Sequence, residues 1–243
     1  MLEICTAHLQ SVISATKAGA DRIELCTALP VGGITPTTAL IKAAKSYSHL
    51  PIMVLIRPRE GDFVYSDNEK QLYLSEIEAC VDAGADGIVL GALTISYALD
   101  ITFLKEIIAL IDRKTTEMNK PRPEIVFHRA FDYVESPFDA MEILIACGFT
   151  RILTSGQKPT ATEGKHLLKR LVELAENRIT IMPGGGINSQ NINELKSFTG
   201  AKEFHLSAKT KTCSTPATSA FNVDLFSVDP EEVKAVKHAS YMV

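Results

Sequence analysis

"AGADRIEL", residues 18–25, holds a helix end, a turn and the start of a strand within eight positions. Gly19 stands where a helix would stop in left-handed backbone, which glycine enters without a Cβ penalty. Arg22-Ile23-Glu24-Leu25 then alternates polar and apolar, as a strand with two different faces does. The same plan returns as "AGADGIVL" (83–90), "CGFTRILT" (147–154) and "TGAKEFHL" (199–206). Gly19, Gly84, Gly148 and Gly200 lie roughly 50–65 residues apart, and a βα unit takes roughly 30 residues, so each interval holds about two units. The four turns therefore feed alternate members of a set of eight strands.

Those strands are expected at Leu2–Cys5, Arg22–Cys26, Ile52–Ile56, Gly87–Leu90, Ile125–His128, Arg151–Thr154, Ile179–Met182 and Glu203–Ser207. Stretches with helical spacing, such as Asn68–Ala83 and Ile101–Met118, separate them. Strands alternating with helices make βαβ units and a parallel sheet. Eight units in 243 residues predict an α/β fold of one domain, a (β/α)8 TIM barrel over residues 1–243, with a doubly wound open sheet as the alternative. After Ser207 the pattern lapses. "AKTKTCSTPATSAFNVDLFSVD" (208–229) reads as a long irregular loop or lid after the last strand. "DPEEVKAVKHA" then reads as a closing helix capped by Asp229 with Pro230 in its first turn.

The totals narrow the function. A net charge of −4 leaves no basic field for a nucleic-acid backbone. No apolar run has transmembrane length, and "MLEICTAH" has no basic region of the kind that opens a signal peptide. Cys5, Cys26, Cys80, Cys147 and Cys213 are odd in number and scattered, which argues against a disulfide framework and for a reducing compartment. A cytoplasmic protein with no nucleic-acid or membrane partner is expected.

Strand parity locates the chemistry, because alternate side chains face opposite ways. If Ile4, Ile23, Leu25, Ile52, Val54, Ile125, Phe127, Phe204 and Leu206 meet the helices, then Glu3, Cys5, Arg22, Glu24, Cys26, His128, Glu203, His205 and Ser207 face inward. Barrel interiors are usually filled by branched apolar residues, and unpaired buried charges are costly. Part of this set therefore reads as an internal ion network around Glu3, Glu24, Arg22, Arg57 and Arg151. Arg57, His128 and His205 close their strands at the face where barrel active sites lie. There, Arg57 and Arg59 are expected to hold a carboxylate or developing charge. His128, tuned by Asp132 or Glu24, is expected to move a proton. Asp62 and Arg129 join the substrate set from the loops after strands three and five. Ser155, Gly156, Gly184, Gly185 and Gly186 are expected to grip an anion, the glycine run preceding a helix N-terminus. His8, just past the first strand, is within reach of the same face.

"EICT" (3–6), "GADRIELC" (19–26), "GGITP" (32–36), "IRPREGDFVYS" (56–66), "GADGIVLG" (84–91), "FHRAFD" (127–132), "RILTSG" (151–156) and "IMPGGGIN" (181–188) follow in this order. In that combination the chain resembles the CutC copper-homeostasis family from position 3 to about 207. The resemblance implies a cytoplasmic (β/α)8 barrel, often oligomeric, that handles copper, with Cu(I) on Cys5 and Cys26 and no organic cofactor. Cu(I) is soft and prefers thiolates, and neighbouring strands about 4.8 Å apart bring two inward cysteines together. Two readings stand side by side. One is a copper-binding protein; the other is an enzyme of lyase or isomerase type acting on a small anionic, phosphorylated metabolite.

Overall fold

Eight short strands run parallel in one sheet, each followed by a helix that packs on its outer face. The structure, a computed structural model, describes residues 1–213 and 225–241. The strands are β1 (Leu2–Thr6), β2 (Arg22–Leu25), β3 (Ile52–Leu55), β4 (Gly87–Leu90), β5 (Glu124–Phe127), β6 (Arg151–Thr154), β7 (Thr180–Pro183) and β8 (Phe204–Leu206). Helices α1 (Leu9–Ala18), α2 (Thr38–Tyr47), α3 (Asp67–Asp82), α4 (Ile101–Glu117), α5 (Pro137–Ala146), α6 (Lys165–Ala175), α7 (Ile192–Thr199) and α8 (Pro230–Tyr241) complete the units. The sheet runs β7-β6-β5-β4-β3-β2-β1-β8, and a parallel bridge from Gly184 to His205 brings its two ends together. This is the (β/α)8 barrel expected from the sequence, nearly closed.

The repeated turns work as their glycines require. Gly19, Gly84, Gly148 and Gly200 all have φ between 72° and 92°. Each helix ends there and the next strand starts within three or four residues. Outward residues such as Ile4, Ile23, Ile52, Val54, Ile88, Ile125 and Phe127 are fully buried against the helices. The inward residues Met53, Leu55, Val89, Val126, Leu153 and Met182 form a second apolar layer with Cys5 and Cys26. Gly87 makes that layer possible, since a Cβ there would occupy the space taken by the end of Met53.

Residues 208–229 need a correction. Where an irregular loop was expected, β9 (Lys209–Cys213) and β10 (Leu225–Val228) pair antiparallel, and the reading of a lid between them lies outside the described residues. The Ser/Thr-rich stretch hid the pairing because a two-stranded ribbon on the surface needs no apolar alternation. The ribbon is tied to the first unit. His8 caps α1 by accepting from Ser11 N–H at 3.3 Å, and its Nε2 lies 3.1 Å from the Phe226 carbonyl. His8 thus anchors the ribbon and does not line the central pocket described next.

Candidate functional site

A pocket of about 260 Å³ opens at the C-terminal ends of the strands. Its floor carries Cys5, Glu24, Cys26 and His205, and its walls include Arg57, Phe63, His128, Arg129, Gly185 and Gly186. The floor follows from register. β1 sets Cys5 beside Glu24 of β2, and Cys26 follows one step beyond Leu25 with the same inward parity. The two sulfurs lie 3.8 Å apart, and the Cys26 thiol donates to the Thr6 carbonyl at 3.5 Å. The hydrogen bond with Cys26, reinforced by burial and by the charge of Glu24, pushes the Cys5 thiol well above its ordinary pKa. One ligand atom from each of Cys5, Glu24 and His205 lies within 4.8 Å of the other two.

Below the floor the inward charges pair. His205 Nδ1 meets Glu3 at 2.8 Å, while Nε2 faces Glu24 at 3.6 Å. Arg22 bridges Glu3 at 2.5 Å and Glu203 at 2.7 Å. Arg151 holds Glu203 at 2.6 Å and also pairs with Glu124. Burial works to raise the pKa of Glu3, but the bond from His205 and the charge of Arg22 outweigh it and hold the carboxyl at about 2. Burial wins at Glu24, whose pKa is raised although His205 opposes the shift. For His205 burial is overcome by Glu24 and Glu3, so its pKa is raised. Of the expected ion network, Glu3, Arg22 and Arg151 pair as foreseen, with Glu203 and Glu124 added. Among the described residues, Arg57 donates only to backbone carbonyls and Glu24 pairs only with His205, which joins the network to the thiols.

The walls differ from expectation in instructive ways. His128 sits just past β5 and caps a short 3-10 turn, Arg129–Tyr133, with Nδ1 accepting from Ala130 N–H at 3.1 Å. Its Nε2 is buried and has no partner among the described residues, and burial together with the Arg57 charge lowers its pKa to about 3. Asp132, expected to tune His128, does not. Its oxygens accept from Arg129, Thr154, Ser155 and Gln157, which fastens the β6–α6 loop. Asp132 points away because the turn begun by His128 aims it toward β6. The tuning role of Glu24 is also taken elsewhere, at His205 and Cys5.

Arg59 and Asp62 do not line the pocket either. Arg59 binds Glu69 at 2.5 Å and Asp62 at 2.9 Å, so its fork is spent on holding its own loop. Ser155 and Gly156 are likewise used up. Ser155 N–H donates to Asp132 and Gly156 N–H to the Thr154 hydroxyl at 2.9 Å, leaving no free amide for an anion. Gly184 N–H donates to the Thr154 carbonyl and helps close the barrel, whereas Gly185 and Gly186 do reach the pocket. Arg129 lines the rim, paired with Asp132 at 2.8 Å and with the Ser155 hydroxyl at 2.8 Å.

Two residues escaped the sequence reading. Phe63 lies between Arg57 and His128, with its ring centroid 4.7 Å from that of His128 and 5.1 Å from the Arg57 guanidinium carbon. Gly91 clears room for the imidazole, since a Cβ there would lie 2.5 Å from His128 Cε1. A glycine one residue past β4 was the visible signal for the second. Phe63 offered none, being one apolar residue in a polar loop.

The model of the CutC family matches residues 1–210. A human protein named copper homeostasis protein cutC homolog is 42% identical over 209 residues, covering 86% of this chain and 73% of that protein. A CutC family protein of Pasteurella multocida strain Pm70 is 44% identical over 208 residues, covering 86% of this chain and 82% of its own. The crystal structure of the copper homeostasis protein CutC from Streptococcus agalactiae superposes with a TM-score of 0.78 at 34% identity, covering 84% of this chain and 97% of that one.

Proposed function

This chain belongs to the CutC family, and on that premise we propose that it takes up copper as Cu(I) on the thiols of Cys5 and Cys26 at the floor of the pocket. The observation that carries the reading is the 3.8 Å separation of the two sulfurs. Metal–thiolate bonds of about 2.3 Å meeting at a tetrahedral angle put two sulfurs about 3.8 Å apart. A bent two-sulfur grip therefore needs little rearrangement. A linear one would require the thiols to separate to about 4.6 Å. The bend leaves a third position, toward which Glu24 and His205 are placed. Sulfur suits Cu(I) far better than a hard cation, and the imidazole of His205 is an acceptable partner for it.

No helix among the described residues is long and apolar enough to cross a membrane. Anaerobic titration of the reduced protein with Cu(I) against a competing chelator tests the proposal. One ion per chain is expected, with at least a hundredfold weaker binding by the Cys5→Ser/Cys26→Ser double variant. Equal binding by both proteins would end the two-thiol reading.

A further inference from the structure

Arg57 is a buried cation, 7% exposed, that meets no carboxylate among the described residues. Its Nη1 donates to the carbonyls of Val31 and Gly33, both at 3.0 Å, and its Nη2 to that of Gly61 at 2.7 Å. Carbonyl dipoles satisfy those hydrogens but leave the charge whole. Its Nε has no partner among the described residues, and neither does Nε2 of His128, which is 5% exposed. With Nδ1 of His128 accepting from Ala130, the ring proton belongs on that orphaned Nε2. Two unpartnered donors in one wall have given up their hydration without a protein partner in return. The Phe63 ring lies against both side chains, tilted by 49° from the His128 ring, and its face compensates the Arg57 cation in part.

We propose that this wall is a binding site for a short-chain carboxylate, whose two oxygens take the free N–H groups of Arg57 and His128 when the ring of Phe63 swings aside. The charge count selects a monoanion. Arg129 is neutralised by Asp132, and Glu24 is shared with His205, so among the described residues that line the pocket Arg57 alone awaits a counter-charge. A dianionic phosphate would carry one charge more than Arg57 offsets, and the amides of Ser155 and Gly156 are already engaged within the chain. The body of the ligand meets Leu29, Leu55, Leu153, Ile187 and Leu206, which give the pocket an apolar wall. A short hydrocarbon tail fits there, and a sugar does not. This site does not depend on the copper reading, since neither Arg57 nor His128 belongs to the thiol floor.

The test is an NMR titration of metal-free protein with acetate, butanoate and inorganic phosphate at constant ionic strength, following the Nε–H resonance of Arg57 and the ring of His128. Saturable shifts are expected with both carboxylates. Butanoate should bind about tenfold more tightly than acetate, from the two added methylenes. His128→Phe should weaken butanoate at least tenfold, and Phe63→Ala should strengthen it by uncovering the donors. The Cys5→Ser/Cys26→Ser variant should bind butanoate unchanged, so loss of the copper site and loss of this one are read separately. No saturable shift, phosphate binding as tight as butanoate, or loss of binding in the double cysteine variant would each overturn the assignment.

Discussion

His128 is held neutral by its surroundings, and this has a consequence for stability. Its pKa of about 3 in the fold lies below the ordinary value of 6.5, so as pH falls the unfolded chain takes the proton first. Stability is untouched above about pH 6.5 and drops from there toward pH 3. At pH 4.5 the loss from this one group is about 2–3 kcal/mol. Urea unfolding at pH 7 and 4.5 should show that His128→Leu loses less stability between the two conditions than the parent. Glu3 acts in the same direction at lower pH. Its pairing stabilises the fold above pH 4.5 and is lost as pH falls toward about 2. At the floor, the raised pKa of Cys5 means Cu(I) must displace a tightly held proton. Apparent copper affinity should therefore rise about tenfold per pH unit for each thiol deprotonated on binding, as a pH series of the chelator competition would show. Gly91→Ala should weaken the binding of butanoate, because the new methyl group takes the space of the His128 ring.

At the scale of elements, the loop carrying Phe63 is braced by a helix start. Ser66 and Glu69 form a reciprocal capping box at the N-terminus of α3, and Glu69 also holds Arg59. Ser66→Ala should cost about 1 kcal/mol by chemical denaturation and raise amide exchange over residues 57–66. The ends of α3 and α4 were visible in the sequence to within one residue. The β9–β10 ribbon was not. Its pairing depends on backbone groups and on anchors at His8 and Ser11, more than 200 residues away in sequence. The same contrast separates Arg57 from Arg59. Both looked like anion ligands from one loop, yet Arg59 found carboxylates close in the chain while Arg57 found only carbonyls.

Across the whole molecule, Glu203 holds the bottom of the barrel together. It joins Arg22 of β2 to Arg151 of β6 through the interior, with Glu3 and Glu124 completing the chain. Removing its charge leaves two buried guanidinium groups each short of a partner. Glu203→Gln should cost about 3–5 kcal/mol in urea unfolding with an unchanged m-value. The fold itself should survive, since the apolar layers on both faces of the strands are untouched.

The barrel, its eight units and the inward parity of Cys5, Glu24, Cys26, His128 and His205 were determined by the sequence alone. Helix-ending glycines and strand alternation are local properties, and eight repeats of them favour a closed barrel over the doubly wound sheet that stood as its alternative. The tertiary structure decided which of the polar groups sent to the open face remain available. Asp132, Arg59, Ser155 and Gly156 were consumed by neighbours, whereas the Nε atoms of Arg57 and His128 were left over. Hydrogen-bond satisfaction depends on partners delivered by other loops at ångström precision. Residue type and spacing carry no record of that.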